Sequence, residues 1–294
     1  MQGTIDGFSY GLVTPVAAFL MACLGSALGL RCTMRCLRTR RAWKPGGLAL
    51  GAASIGSGVW TMHFIAMTGF VVAEAPVGYD RLTTFASLVV GILMVGIGIF
   101  IVGYRASTPM ALLTGGTITG LGIATMHYLG MAGLRLDGGS IDYDTTTVAL
   151  SVLIAVTAAT GALWVVVSRR GFLASLAASL VMGAASTGMH YTAMAAVHVH
   201  LEETAAGTGE RAAELLVPML IGPAVFLLLA GVAVVVDPLL LTGGRERPTG
   251  SGAGPCGHSG VPTQRIRPRP AYRDPAARTA ARSPRRSPPD VHDW

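Results

Sequence analysis

Three histidines recur in this chain with the same neighbours, and the chemistry that such a set of residues performs is metal binding. His63, His127 and His190 are separated by 64 and then 63 residues. A methionine directly precedes each histidine, and a second methionine follows four positions later. Because residues four apart share a helix face, each histidine would align with that second methionine. The predicted metal ligands are Met62, His63, Met67, Met126, His127, Met131, Met189, His190 and Met194.

The donor atoms of these side chains favour copper. Imidazole binds zinc, copper, iron and nickel, whereas thioether sulfur selects soft ions, above all Cu(I). A zinc-activated water would also need a carboxylate base, and the sequence places none beside the histidines. A single such pair would be explained by a histidine that bonds a carbonyl and a methionine that fills space. Three copies at one depth favour a shared function instead, because ionisable residues within a membrane are costly.

The segments that carry these motifs are apolar enough to lie in a membrane. The chain has 294 residues, of which 51% are hydrophobic and 13% charged, whereas soluble domains carry about 25% charged residues. This composition excludes an ordinary water-soluble enzyme. We predict an all-α fold, a polytopic membrane protein with seven transmembrane helices arranged as three two-helix repeats and one extra helix. The predicted spans are Tyr10–Leu30, Leu48–Ala73, Thr83–Gly103, Met110–Leu134, Thr147–Ser168, Phe172–Val197 and Leu215–Val236.

The basic residues predict how the helices are oriented. Of the 22 lysines and arginines, 19 fall between spans one and two, three and four, five and six, or after span seven. The positive-inside rule assigns these segments to the cytoplasm, so the N-terminus lies outside and the C-terminus inside. The net charge is thereby explained without a nucleic-acid partner. We expect two domains, a membrane domain over residues 1–240 and a disordered, Pro- and Arg-rich cytoplasmic tail over residues 241–294.

The histidine motifs lie on spans two, four and six, which all run in the same direction. This places the histidines in the outer half of the bilayer, within about 10–15 Å of the outer helix ends. Small residues occupy the positions seven and eleven before each histidine, where they allow close helix approach. We therefore expect a bundle that is tight in its inner half and opens outward into a pocket lined by histidine and methionine. The small residues are Gly56, Gly120, Gly183, Ala52, Gly116 and Ser179.

Other polar residues have simpler interpretations. Asp80 and Asp144 each follow a tyrosine and precede a span, which is typical of a helix N-cap, although outer-face carboxylates would also attract cations. His198 follows Met194 by four positions and would extend the face that His190 and Met194 share in the third repeat. With His200 it is better explained as an interfacial loop residue. Trp60, three residues before His63, is expected to pack in the helix bundle and not to form the wall of a ligand site.

The repeated signature resembles the MHYT domain, a bacterial integral-membrane sensor module built from three paired-helix repeats. The third copy spells the signature in full, as Met189-His190-Tyr191-Thr192, and the first two keep the Met-His pair. The resemblance covers about Phe8 to Val236. It implies a place in the bacterial inner membrane and copper bound near the outer face by the nine residues named above. It also implies sensing of a diatomic gas such as oxygen, carbon monoxide or nitric oxide.

Three function classes remain open. The first is a copper-dependent sensor that is not itself an enzyme and acts on a separate signalling partner, because we expect no folded output domain in the tail. The second is a copper transporter or permease, which would need polar residues continuing inward where glycine, alanine and serine stand. The third is a zinc hydrolase of the membrane, which would need a serine and a carboxylate near the histidines, and only Ser186 is close.

Overall fold

The computed structural model describes residues 5–6, 10–38, 44–72, 77–105, 108–136, 139–168, 172–201 and 212–236. The helices are α1 (Val13–Arg38), α2 (Lys44–Met67), α3 (Arg81–Tyr104), α4 (Pro109–Ala132), α5 (Thr145–Ser168), α6 (Phe172–Met194) and α7 (Ala212–Val236). The strands are β1 (Ile5–Asp6), β2 (Val71–Val72), β3 (Val77–Tyr79), β4 (Leu134–Leu136), β5 (Gly139–Tyr143) and β6 (Val197–Leu201). The predicted tail, residues 241–294, lies outside the described residues.

The helices confirm the prediction of an all-α, multi-pass membrane protein. Within the described ranges, six helices are long and apolar enough to cross a membrane. The exception is α6, in which serine, threonine and glycine interrupt the apolar residues. It nevertheless has 23 residues and packs between α5 and α1.

Three of the predicted spans run past the C-terminal ends of the helices that the structure contains. Span four was expected to reach Leu134, but α4 ends at Ala132 and Leu134 begins β4. Span two was expected to reach Ala73, but α2 ends at Met67 and residues 71–72 form β2. Span six was expected to reach Val197, but α6 ends at Met194 and β6 follows. The reason is that the segments after the histidine motifs stay apolar while their valines favour extended backbone. Hydropathy alone does not separate these two conformations.

Each pair of helices is closed by a short antiparallel ribbon. The pairs are β1 with β2, β3 with β4, and β5 with β6. In every pair one strand precedes an odd-numbered helix and the other follows the next even-numbered helix. The repeat unit is therefore strand, helix, helix, strand, and all three ribbons lie at one end of the bundle. We call this the ribbon end.

Six of the helices form a closed ring, and the seventh packs outside it. Helices that are neighbours in sequence pack together from α1 to α6, and α6 packs against α1. Helix α7 packs mainly against α2, with smaller contacts to α1 and β3. The predicted arrangement of three repeats and one additional helix is thus present.

The small residues before the histidines close this ring. A Cβ atom on Gly120 of α4 would lie 2.4 Å from the Cα of Val156 in α5. One on Gly56 of α2 would lie 2.9 Å from the Cα of Ile92 in α3, and the matching glycine of α6 approaches α1 in the same way. Each even-numbered helix thus needs a glycine where it meets the following helix of the ring, which is α3 for α2, α5 for α4 and α1 for α6.

Asp80 and Asp144 are N-caps, as predicted. Asp80 accepts a 2.8 Å hydrogen bond from the backbone N–H of Thr83, and Asp144 accepts one of 2.9 Å from Thr147. The hydroxyl and backbone N–H of these threonines hold the pKa of both carboxyl groups below its usual value. The backbone N–H of Asp80 also donates to the carbonyl of Gly133, which ties the start of α3 to the end of α4.

Candidate metal centre

The three predicted histidines meet in the middle of the ring. The Nδ1 atom of His63 lies 3.0 Å from the Nδ1 of His127 and 3.0 Å from that of His190. The Nδ1 atoms of His127 and His190 are 3.3 Å apart. Each histidine is only 1% exposed. The ring thus brings residues from three different helices into direct contact.

Protons alone do not satisfy this triangle of nitrogens. A neutral imidazole carries one N–H, so each Nδ1 is either a donor or an acceptor. Whatever the assignment, at least one of the three contacts joins two donors or two lone pairs. Buried polar groups without a proper partner are costly. A shared cation would instead be contacted by all three lone pairs.

The separations also fit metal coordination. Three nitrogens that bind one ion at 2.0–2.1 Å lie about 3.3–3.6 Å apart in tetrahedral or trigonal geometry. The observed 3.0–3.3 Å is slightly shorter, and a small outward shift of the rings would match it. Within the described part of the chain, these three residues are the one group of histidine, cysteine or carboxylate side chains close enough to share an ion.

The second nitrogen of the histidines points away from the triangle. The Nε2 atoms of His63 and His127 are buried and have no hydrogen-bond partner among the described residues. A Cβ atom on Gly130 would lie 2.8 Å from the Nε2 of His63. Gly130 of α4 therefore leaves the space that the ring of His63 occupies.

The predicted methionine ligands are buried with the histidines. Met62, Met126 and Met189, which directly precede the histidines, are fully buried, as are Met67 and Met131. Met194 is partly buried and packs against the same core. Their position in this core fits the prediction, and their role as ligands stays a prediction.

An aromatic ring after each histidine was missed in the sequence. Phe64 packs edge-on against His63 with ring centroids 4.5 Å apart. Tyr128 and Tyr191 make the same contact with their own histidines, at 4.9 and 5.0 Å. The signal was present, because all three copies keep an aromatic residue at this position even where tyrosine is lost.

A repeated serine supports the wall of the site. The Nε1–H of Trp60 donates to the Oγ of Ser87 at 3.0 Å and to the carbonyl of Thr84 at 3.2 Å. In the next repeat the hydroxyl of Tyr128 lies 2.7 Å from the Oγ of Ser151. Both serines stand seven residues after a capping aspartate. Trp60 thus packs, as expected, and also anchors α2 to α3.

The expected outward opening of the site is not found in the ranges that the structure describes. The histidines are buried, and none of them lines either of two cavities that border α4. They lie four or five residues before the ends of their helices, which is about 6–8 Å. This distance is within the predicted 10–15 Å, and it is short because the helices end earlier than the apolar sequence does.

His198 and His200 do not join the cluster. Both lie on β6 and are exposed, so they belong to a strand and not to a loop. The Nε2 of His200 lies 3.4 Å from the Oδ2 of Asp142 on the paired strand β5. His198 stands opposite Asp142 in the register of the ribbon. The face that carries His190 and Met194 therefore ends with helix α6 and does not continue to His198.

Comparison with protein families identifies the repeat. The model of the MHYT family, described as a bacterial signalling protein N terminal repeat, matches residues 56–115 and 120–179. Each match begins at the glycine seven residues before a histidine, Gly56 and Gly120. His190 lies beyond both matched segments. No solved structure matches the chain.

Several curated signalling proteins are similar to this chain. The bifunctional diguanylate cyclase/cyclic di-GMP phosphodiesterase MucR of Pseudomonas aeruginosa is 37% identical over 202 residues, which is 66% of this chain and 29% of that protein. The cyclic di-GMP phosphodiesterase NbdA of the same organism is 34% identical over 212 residues, 67% of this chain and 26% of that protein. The signaling protein YkoW of Bacillus subtilis is 27% identical over 211 residues, which is 68% of this chain and 26% of that protein. The chain thus matches between a quarter and a third of the length of each relative.

Proposed function

The chain belongs to the MHYT family of bacterial signalling proteins, and we propose that its ring of helices is a membrane sensor that binds copper. The observation that carries the proposal is the triangle of Nδ1 atoms of His63, His127 and His190, 3.0–3.3 Å apart. Thioether sulfur from the surrounding methionines would favour Cu(I) over zinc. Within the described ranges, no carboxylate lies close enough to join the three histidines.

The three ligating histidines would couple the site to the shape of the ring. Bound copper would supply a soft Lewis acid for a diatomic gas such as oxygen, carbon monoxide or nitric oxide, or would report redox state. His63, His127 and His190 stand on α2, α4 and α6, so a change in their spacing shifts one even-numbered helix against another. A ligand that favours one of two packings of the ring would shift the population between them. The readout would pass to a separate signalling protein in or beside the bilayer.

The proposal gives the ring no catalytic step. The cyclase and phosphodiesterase activities in the names of MucR and NbdA belong to proteins of which this chain matches 29% and 26%. The N-terminus outside and the C-terminus in the cytoplasm remain part of the proposal, since they rest on the distribution of arginine and lysine. Copper transport is the alternative, and it requires a polar path through the ring.

Copper binding tests the proposal directly. We expect the detergent-purified protein to retain about one copper per chain, and His127→Ala to lower Cu(I) affinity by at least ~100-fold, since it removes a direct ligand. His198→Ala is the matched control, because that exposed histidine lies outside the cluster. Equal copper content in all three proteins would contradict the proposal. Copper uptake into proteoliposomes by the wild type would favour the transporter.

A further inference from the structure

Two cavities lie along one side of α4. The first, of about 500 Å³, is bordered by Tyr128, Met131 and Ala132 of α4 and by the ribbon strands β4 and β5. The second, of about 470 Å³, runs along α4 from Leu121 to Ala132, between α3 and α5. Tyr128 and Ala132 border both cavities. Together the two cavities form one trough, which we call the α4 groove.

The α4 groove opens toward lipid. Leu121, which is 41% exposed, lies twelve residues into a helix of membrane-spanning length, so it faces the bilayer and not the aqueous phase. Thr125 and Ala132 on the same side of α4 are also exposed. The remaining lining is largely aliphatic. A solute that reaches this groove therefore comes from the hydrocarbon region.

The inner wall of the groove is next to the histidine cluster. Met131, which borders the first cavity, is fully buried and stands four residues after His127. Tyr128 packs edge-on against the ring of His127, with centroids 4.9 Å apart. Its hydroxyl is held at 2.7 Å from the Oγ of Ser151, which fixes the ring as part of the wall. One layer of side chains thus separates the groove from the nitrogens.

The same side of the first repeat is closed. Helix α7 packs against α2 and has no counterpart on α4 in the described ranges. Positions of α2 that match the exposed side of α4 are buried. The matched pairs are Ser57 for Leu121, Thr61 for Thr125 and Phe64 for Tyr128. The first and second repeats are therefore not equivalent, and the second one offers a path from lipid.

We propose that the α4 groove is the access route by which small, uncharged, lipid-soluble molecules reach the histidine cluster. Tyr128 and Met131 form its inner wall, and Ala132 lies where its two cavities join. The lining offers no charged side chain, so ions and strongly polar solutes are excluded. Its purpose rests on the proposed function, in which the cluster binds a diatomic gas. The path itself is a property of the metal-free chain.

Thiol labelling of metal-free protein in lipid nanodiscs tests the route. Met131→Cys and Met67→Cys are matched positions of two repeats, both fully buried, in a background with Cys23, Cys32, Cys36 and Cys256 replaced by alanine. With methyl methanethiosulfonate, a small neutral reagent, we expect Met131→Cys to react at least tenfold faster than Met67→Cys. A trimethylammonium-bearing analogue should modify neither. Adding Ala132→Trp should slow the labelling of Met131→Cys, whereas Ala195→Trp, the matched position of the third repeat, should not.

Equal rates at the two positions would overturn the route, and so would faster labelling by the charged reagent. Helix content and melting temperature identify the variants that fold. If Met131→Cys does not fold, Leu129→Cys and Ile65→Cys carry the same comparison, because both positions are half-buried and only Leu129 borders the α4 groove. No copper is present in this assay, so its failure is distinguishable from a failure of copper binding.

Discussion

Gly120 sets how closely α4 approaches α5, and its substitution should disturb the histidine cluster. A Cβ atom there would lie 2.4 Å from the Cα of Val156, and 2.7 Å from both the N of Val156 and the carbonyl oxygen of Ala155. These are backbone atoms, so no side-chain rotation relieves the contact. Carbon atoms pack at about 3.5–4.0 Å. Gly120→Ala therefore requires α4 and α5 to separate by about 1 Å.

This displacement reaches the cluster because Gly120 and His127 lie on the same helix, about 10 Å apart along its axis. One shared ion permits Nδ1 separations of only about 3.3–3.6 Å, a range that is much narrower than 1 Å. A shift of about 1 Å therefore moves the Nδ1 atoms out of this range. We expect Gly120→Ala to lower the free energy of unfolding by about 1–3 kcal/mol. We also expect Cu(I) affinity to fall by about 10–100-fold, as it does when the support of a ligand is lost.

Competition titration with a Cu(I) chelator and thermal unfolding in detergent measure both effects. Gly188→Ala is the control, because a Cβ atom at that position of α6 would meet nothing within 4 Å. It should leave Cu(I) affinity unchanged and stabilise the helix by up to about 1 kcal/mol. If a folded Gly120→Ala variant bound copper with wild-type affinity, the glycines seven residues before the histidines would not be what positions the histidines.

Further predictions concern the wall, a cap and the ligands. Trp60→Phe removes the donor to Ser87 and should lower the free energy of unfolding by about 1–3 kcal/mol in chemical denaturation, with a smaller loss when Ser87 is already alanine. The pKa of Asp144 is lowered in the folded state by its bonds from Thr147, so its contribution to stability is present above the ordinary carboxyl pKa and is lost as pH falls through the folded value. Asp144→Ala should therefore melt lower than wild type near pH 7 and show a smaller loss on acidification, and identical pH profiles would exclude this role. Leucine at the three methionines that follow the histidines should weaken Cu(I) binding about tenfold or more and zinc binding less, measured by parallel titrations. These methionines are Met67, Met131 and Met194.

The sequence predicted which residues meet but not how the site is enclosed. His63, His127 and His190 recur at intervals of 64 and 63 residues on helices of one direction. They therefore share a depth and a face wherever the repeats pack around a common axis. Asp80 was predictable as a cap because a capping bond is local. These features depend only on spacing along the chain.

The enclosure depends on tertiary packing, which the spacing does not contain. Residues 71–72 are as apolar as the helix before them, and their pairing with β1 completes the strand that their valines favour. Helix α7 is apolar on all sides, so nothing in its pattern predicts that it covers α2 and leaves α4 open. The small residues before each histidine predict that another helix approaches closely. Which helix approaches depends on the order of helices in the ring, and the sequence does not give this order.

X-ray absorption at the copper edge of the Cu(I)-loaded protein tests the central claim most directly, because it counts the ligands of the ion. The convergence of His63, His127 and His190 predicts three imidazole nitrogens at about 2.0 Å, with the multiple scattering typical of histidine. A first shell made of sulfur alone, or one with no imidazole contribution, would contradict it.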